Sequence, residues 1–496
     1  MATLVAVDLG AQSGRVAVGR FDGERLGVTE VHRFPNVPVR TRGTLNWDIL
    51  RVYNDVLDGL RAAAREAGDV DSVAVDSWAV DFALIDSKGR LVQNPVHYRD
   101  ARRAGAMEGV LARVPARELY DRTGIQLMPI NTVFELGAMA AEADPALAAG
   151  ETMLLIPDLV HYWLCGACTT EFTNATTTQC FDPHSGGWAT DLLERLDVPT
   201  RLLPDVVQPG TRLAPISAAV AEETRLHGAE VVAAATHDTG SAVAAVPFRQ
   251  PGSVFISAGT WSLVGLEVQA PFITDAAFAA NLTNEGGVGG TFRLLRNVTG
   301  LWLIHECRRV WAQEGSEHSF DQLVALAKDA PALQSFIDPN DSAFADPGDM
   351  PGRVRAFCAH TGQAEPAGPG AVVRCILESL ALTHAQTIDV LASVVGGSPR
   401  EIHVVGGGAR NELLCRWTAD AAGLPVLAGP EEATLLGNLL VQAMSLGEIS
   451  SLAEGREVVR ASVVPTAYEP QETPEWQEAK ERFAEAVALP TPEPRP

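Results

Sequence analysis

The chain has 496 residues, too many for one ordinary core, so at least two domains are expected. With 62 acidic against 38 basic residues the formal charge is −24, a surface that repels nucleic acid and anionic membranes and excludes both as expected partners. Apolar residues make up 46% of the sequence, yet no run approaches the length of a membrane span, and the opening MATLVAVDLG meets Asp8 too early for a secretory signal.

Seven cysteines, an odd number at wide spacing, give no disulfide framework, so a reduced, cytoplasmic protein is expected. Cys165 and Cys168 form a lone CxxC with no second pair or histidine cluster to complete a metal site, and Cys358 and Cys375 are candidates for spatial neighbours. Lys88, Lys328 and Lys480 are the only lysines, and none follows a glycine-rich loop. With no GxxxxGK[ST], HRD or DFG, a nucleotide would have to be held by backbone amides, hydroxyls, Mg²⁺ and arginine.

Residues 3–8 read as a strand, 9–14 as a small polar turn, 15–21 as a second strand and 25–34 as a third, an antiparallel series at the very start. The turn LGAQSG combines two glycines with a serine. It is either an ordinary hairpin turn or a nest of N–H groups for an anion. Asn46-Trp47-Asp48 opens an amphipathic helix with Ile49, Tyr53, Val56, Leu57 and Leu60 on one face. A strand over 71–76 runs into Ser77-Trp78-Ala79-Val80-Asp81-Phe82, where two carboxylates flank a tryptophan. An indole face suits a sugar ring, and it equally suits a core beside a turn aspartate. The hydroxyl-rich loop 174–179 has no evident role.

Residues 231–246, VVAAATHDTGSAVAAV, read as a buried strand, a sharp polar break and a helix of small residues. Asp238 sits where the strand ends and the helix begins. It is either a helix N-cap or a carboxylate at the rim of a crevice, able to take a proton from a bound hydroxyl. The opening theme then returns: a strand at 253–258, the turn Gly259-Thr260-Trp261 and a strand at 262–267. This is weak internal similarity to 3–21 and points to two related domains. Residues 331–353 form a loop, and after it a long helix carries His384 on its buried stripe, as a core histidine. A strand over 401–405 ends in Gly406-Gly407-Gly408-Ala409-Arg410-Asn411, near GxGxxG but with asparagine in the third glycine position. Beyond Pro465 the chain is rich in proline and glutamate, with helix expected over 475–488 and disorder after it.

Taken in order, DLGAQSGR at 8–15, THDTGSAV at 236–243, SAGTWSLVG at 257–265 and VVGGGARN at 404–411 resemble the FGGY sugar kinases, of the actin, hexokinase and Hsp70 ATPase superfamily. The resemblance covers 1–465 and implies an α/β fold of two ribonuclease-H-like domains with a central interdomain cleft. It divides the chain into 1–246 (sugar site, first phosphate loop and catalytic aspartate), 247–465 (nucleotide) and a tail, 466–496. By the same resemblance Asp238 is the catalytic base, and Trp78, Ala79, His237, Asp238, Thr239 and Asn297 contact the sugar. Ala79 stands where a glycine is usual in a motif written DTWGVDF, and Ser77 replaces its threonine, so the added methyl bears on which ketose fits.

The nucleotide side implied is Ala11, Gln12, Ser13, Gly14 and Arg15 in the first phosphate loop, Thr260 in the second, and Gly407 near the adenosine. His305 stands where a glutamine usually contacts ATP, and Asp8 matches the carboxylate that holds Mg²⁺ through water. Arg15 is alternatively a solvated strand residue. The expected reaction is ATP-dependent phosphorylation of a ketose, L-rhamnulose first, with L-fuculose, L-xylulose or D-ribulose as alternatives, by a monomer or homodimer. Two other readings stay open: a non-catalytic sugar or nucleotide scaffold of the same fold, and a dehydrogenase built on GGGARN, with Glu431 or Glu432 placed to meet a ribose.

Overall fold

The first strand, β1 (Ala2–Leu9), is buried along almost its whole length, as a central strand flanked on both sides must be. In a computed structural model describing residues 2–250, 252–471 and 473–488, it pairs antiparallel with β2 (Ser13–Phe21), which pairs antiparallel with β3 (Leu26–Pro35). On its other side β1 runs parallel to β4 (Ser72–Ser77), with Asp8 in register with Asp76. With β5 (Thr211–Pro215) and β6 (Glu230–Ala233) these make a six-stranded sheet in the order β5-β6-β4-β1-β2-β3. Helix α1 (Ile49–Ala67) is started by Asp48, whose side chain accepts the Arg51 amide. Further on come α2 (Ile156–Cys165) and α3 (Asp238–Ala244), the second of which follows β6.

The second sheet is built from β7 (Val254–Ala258), β8 (Trp261–Val268), β9 (Thr283–Gly286), β10 (Phe292–Thr299), β11 (Ile402–Val405), β12 (Val426–Ala428) and β13 (Thr466–Tyr468), in the order β9-β10-β8-β7-β11-β12-β13. Its pairings repeat those of the first. β7 has an antiparallel partner in β8 and a parallel one in β11; β11 is parallel to β12, and an antiparallel edge strand, β13, closes the series. β1, β2, β4, β6 and β5 stand in the same relations. The weak likeness between 3–21 and 253–267 is therefore carried in topology, where pairing is fixed by backbone and not by side-chain identity. Helices α4 (Trp302–Gln313), α5 (Gly368–Val395), α6 (Glu412–Ala422), α7 (Ala433–Leu446), α8 (Leu452–Ser462) and α9 (Pro474–Val487) complete the elements used below.

Packing divides the chain into two units that are discontinuous in sequence. The first holds residues up to Pro247, Glu267–Leu294 and Glu432–Val464; the second holds Phe248–Leu266, Leu295–Glu431 and the chain from Pro465. By packing, α7 and α8 belong with the first sheet although they lie far along the chain. Buried amides enforce it: from α7, Asn438 Nδ2 donates to Asp76 Oδ2 at 2.6 Å and Gln442 Nε2 to the Val5 carbonyl at 3.0 Å. The segment expected as a tail supplies edge strand β13 and α9 to the second unit. The disorder expected at its end falls outside the described residues. No described helix is long and apolar enough to cross a membrane.

Candidate active site

Three carboxylates stand at the carboxyl ends of the parallel strands of the first unit, where open α/β sheets place their ligands. Asp8 and Asp76 are in register on β1 and β4, and Ser77 bridges to His237, the neighbour of Asp238. Asp76 is wholly buried. Its Oδ2 accepts Asn438, while Oδ1 has no partner among the described residues. Burial, reinforced by the negative charge of Asp8, drives its pKa well above the ordinary carboxylate range. The sequence reading noted Asp76 beside Trp78 but gave it no role. Its significance depends on register with Asp8 and on Asn438, which is distant in sequence.

Asp8 and Arg15 face each other across the β1–β2 pair, a cross-strand ion pair. Arg15 Nε and Nη2 each lie 2.8 Å from Asp8 Oδ2, and Nη1 meets Glu432. Burial opposes the guanidinium charge, but the two carboxylates outweigh it and hold the pKa above its usual value. Arg15 is therefore neither a solvated strand residue nor an uncommitted cation. The turn between the strands is pinned by Asn36, whose Nδ2 donates to the Gly10 carbonyl and whose N–H donates to the Gln12 carbonyl, both at 3.0 Å. The Ala11 and Gln12 N–H groups have no acceptor among the described residues, and the Gln12 side chain is exposed. Ser13 opens β2. At Gly14 a Cβ would sit 2.2 Å from the Phe34 ring, so this glycine answers to packing.

Asp238 is the first residue of α3, and His237 occupies the cap position without a side-chain capping bond. The helix-cap reading of Asp238 is thus replaced by another arrangement. Asp238 Oδ1 accepts the Thr239 N–H at 2.5 Å and the Thr239 hydroxyl at 3.1 Å, and His237 Nε2 lies 3.4 Å from it. Oδ2 has no donor among the described residues. Burial raises the Asp238 pKa; His237 pulls it back and Asp8 pushes it up.

The strand end before Asp238 is held by buried Glu171. Its Oε2 accepts both N–H and hydroxyl of Thr236 at 2.8 Å and the Thr173 hydroxyl at 2.5 Å, and Thr173 Oγ1 takes the His237 N–H at 3.2 Å. Glu171 was missed. The run of hydroxyls that follows it was the available signal, since polar residues so dense must be solvated or networked, and here they are buried.

Trp78 lies beside the Leu9 carbonyl, to which its N–H donates at 3.3 Å. Its indole N–H is committed to Asp81 Oδ2 at 3.0 Å, as is that of Trp47 at 2.6 Å, and the two indoles meet at a 39° tilt with centroids 4.3 Å apart. Trp78 is thus a core tryptophan beside a turn aspartate, at the strand end where Asp8 lies. Ala79 is half-buried. Val80 takes a left-handed φ of 69°, and the Asp81 N–H closes a three-residue turn onto the Ala79 carbonyl at 2.9 Å. A β-branched residue there is strained by about 1–3 kcal/mol. The Thr132 hydroxyl, 2.6 Å from the Val80 carbonyl, and the four donors on Asp81 over-determine the turn.

In the second unit Thr260 forms the β7–β8 turn, its carbonyl accepting the Gly300 and Trp302 N–H groups at 3.1 and 3.2 Å. At the end of neighbouring β11, a Cβ on Gly406 or Gly408 would meet Ala258 at 3.1 or 2.4 Å, whereas Gly407 is exposed and opens onto free space. Packing thus accounts for the flanking glycines but not for Gly407. Asn411 caps α6 by accepting the Leu414 N–H, Glu431 pairs with Arg410, and Glu432 with Arg15, which removes the acidic partner a dinucleotide ribose needs. Asn297 is half-buried on β10. His305, on α4, is stacked on Phe320, and burial, aided by Arg308, lowers its pKa to about 4. Asp8, 11–15, Trp78, Ala79 and 237–239 therefore fall in the first unit, and Thr260, Asn297, His305 and Gly407 in the second.

A family model described as the N-terminal domain of the FGGY family of carbohydrate kinases matches residues 3–245, and its C-terminal counterpart matches 254–446. The chain is 40% identical over 485 residues to a rhamnulokinase of Bacteroides thetaiotaomicron, covering 97% of this chain and 99% of that protein. It is 40% identical to a rhamnulokinase of Pectobacterium atrosepticum, covering 99% and 97%. Among solved structures, a ligand-bound xylulose kinase from Lactobacillus acidophilus superposes with a TM-score of 0.80 at 14% identity, covering 98% of this chain and 97% of that one. A Plasmodium falciparum glycerol kinase with ADP gives 0.77 at 13% identity, covering 98% of each; at such identities the likeness is one of fold.

Proposed function

This chain belongs to the FGGY family of carbohydrate kinases, and from that premise we propose that it moves the γ-phosphoryl group of ATP onto the primary hydroxyl of L-rhamnulose, forming the 1-phosphate. The observation that carries the choice of sugar is near-full-length identity of 40% to proteins named rhamnulokinase. The substitution of alanine at position 79 keeps other ketoses in view, because a methyl in a sugar pocket alters fit. A panel of L-rhamnulose, L-fuculose, L-xylulose and D-ribulose, read by coupled ADP release, tests it. L-Rhamnulose is expected to lead in kcat/KM by about tenfold or more, the scale on which pockets discriminate small groups; a different leader changes the substrate, and no sugar-dependent ADP release removes the kinase reading.

In-line phosphoryl transfer asks for positioning and charge neutralisation more than covalent help. Asp238 offers Oδ2 to the attacking hydroxyl while Oδ1 is held by Thr239, and it takes the proton as the new P–O bond forms. The unengaged Ala11 and Gln12 N–H groups suit a phosphate oxygen. Thr260 and Gly407 are the residues proposed for the nucleotide in the second unit, with His305 and, on the sugar side, Trp78, Ala79, His237 and Asn297. Mg²⁺ is proposed to arrive with ATP. The described residues contain no cluster of three or more acidic, histidine or cysteine ligands, which fits an ion carried mainly by phosphate oxygens and water. Asp8 and the unpartnered Asp76 Oδ1 are the groups that would hold it, and it would neutralise charge on the phosphates. The enzyme is proposed to work in the cytoplasm as a monomer or homodimer; all seven cysteines are free.

A further inference from the structure

His237 touches Asp238 with one ring nitrogen, and a buried arginine touches the other. Arg293, on β10, is completely buried. Its Nε donates to the Gly286 carbonyl at 2.8 Å, its Nη1 lies 3.2 Å from Glu285 Oε2, and its Nη2 lies 3.1 Å from His237 Nδ1. Glu285 Oε2 is itself 3.3 Å from that nitrogen. These residues sit in the stretch Glu267–Leu294 that packs within the first unit.

A guanidinium has five donors and no lone pair. A proton on His237 Nδ1 would confront an arginine N–H, so the nitrogen must accept. A neutral ring then carries its proton on Nε2, the nitrogen that lies 3.4 Å from Asp238 Oδ1. Glu285 would favour the opposite tautomer, but its contact is the longer of the two and its charge is balanced by Arg293. We propose that Arg293, neutralised by Glu285, is a positioning residue that fixes His237 as the Nε2–H tautomer and so keeps an N–H, 3.4 Å away, beside the Asp238 oxygen that Thr239 already holds. With Thr239 N–H and hydroxyl this turns the base to present Oδ2 alone. The inference rests on the reading of Asp238 as the base, and goes beyond it in assigning roles to Arg293 and Glu285.

The test is ¹⁵N–¹H correlation spectroscopy of histidine-labelled full-length protein at neutral pH, with His237 assigned by its disappearance in His237→Gln. The expected pattern is a bare Nδ1 and a protonated Nε2; a protonated Nδ1 in the wild type overturns the inference outright, whatever any variant does. Arg293→Met with Glu285→Gln removes both charges together, avoiding an unpaired buried carboxylate. This pair is expected to lose the tautomer preference and about 10–100-fold in kcat, the usual size of an orienting contact, with the KM for ATP changed by less than about twofold. Arg293→Lys, which keeps a donor, is expected to recover part of kcat. A folded double variant with kcat within about twofold of wild type also overturns it. By contrast, full turnover in Asp238→Asn would overturn the base assignment and leave the tautomer result standing.

Discussion

As the proposed base, Asp238 must be ionised to accept a proton, and its surroundings resist ionisation. Burial and Asp8 raise its pKa while His237 lowers it, with burial the largest influence. A base with a raised pKa loses its charge earlier as pH falls, so the acid limb of kcat is expected above the ordinary aspartate value of about 4. Rates under saturating ketose from pH 4 to 9 measure it, and a limb at or below 4 would contradict the assignment. Asp238→Asn is expected to keep the fold and nucleotide binding, followed by circular dichroism and a fluorescent ATP analogue, while kcat falls by about 10²–10⁴. The strand–helix junction that carries Asp238 was legible because a polar break inside an apolar run is a strong local mark. Asp76, Glu171 and Arg293 were not, because what makes a buried charge tolerable is its partner. Those partners, Asn438, Thr236 and Glu285, are named only by the folded chain.

The elements hold these side chains through close approaches. A Cβ on Gly437 of α7 would lie 1.7 Å from the Ser241 carbonyl oxygen of α3, backbone against backbone, so the two helices meet at a contact that only glycine permits. Gly437→Ala is expected to cost about 1–3 kcal/mol in urea denaturation. It must also displace the helix that begins with Asp238, and a shift of about 1 Å in a reacting group costs on the order of 10²-fold in rate. Gly109→Ala, within the helix Ala106–Leu111 where an added Cβ meets nothing within 4 Å, is the control: it should raise stability by about 0.5–1 kcal/mol, as alanine does in a helix interior, and leave the rate unchanged. The hairpins, α1 and the β6–α3 junction were readable from period and punctuation. The return of α7 to the first sheet was not, because an apolar stripe says that a face is covered but not by what.

At the scale of the molecule, several histidines are buried in the neutral state. Burial lowers His161 and His384 to about 3, and His97 likewise, with Arg99 adding to the effect. Each lies below the unfolded value of about 6.5, so below that pH the unfolded chain takes up protons that the native one refuses. Stability held at neutral pH is therefore lost as pH falls from about 6.5 towards 3, at about 1.4 kcal/mol per pH unit for each such histidine. Asp158 and Glu171, raised chiefly by burial, work in the opposite sense, gaining stability as pH falls towards about 4. The clean measurement is thus a difference. His384→Gln, replacing a ring bonded to Thr418 within the second unit, should flatten the slope of unfolding free energy between pH 6 and 4 by about one proton. An unchanged slope would mean that His384 titrates normally.

The discontinuity of the first unit also reaches into biosynthesis. A ribosome finishes every strand of the first sheet by Ala233, yet the amides that satisfy the Val5 carbonyl and Asp76 emerge only with α7, about two hundred codons later. Until then the nascent sheet carries bare acceptors and an uncovered apolar face, a natural client for a chaperone. A recombinant fragment stopped at residue 247 should accordingly be insoluble or molten, and supplying the missing helices as a separate polypeptide should rescue it.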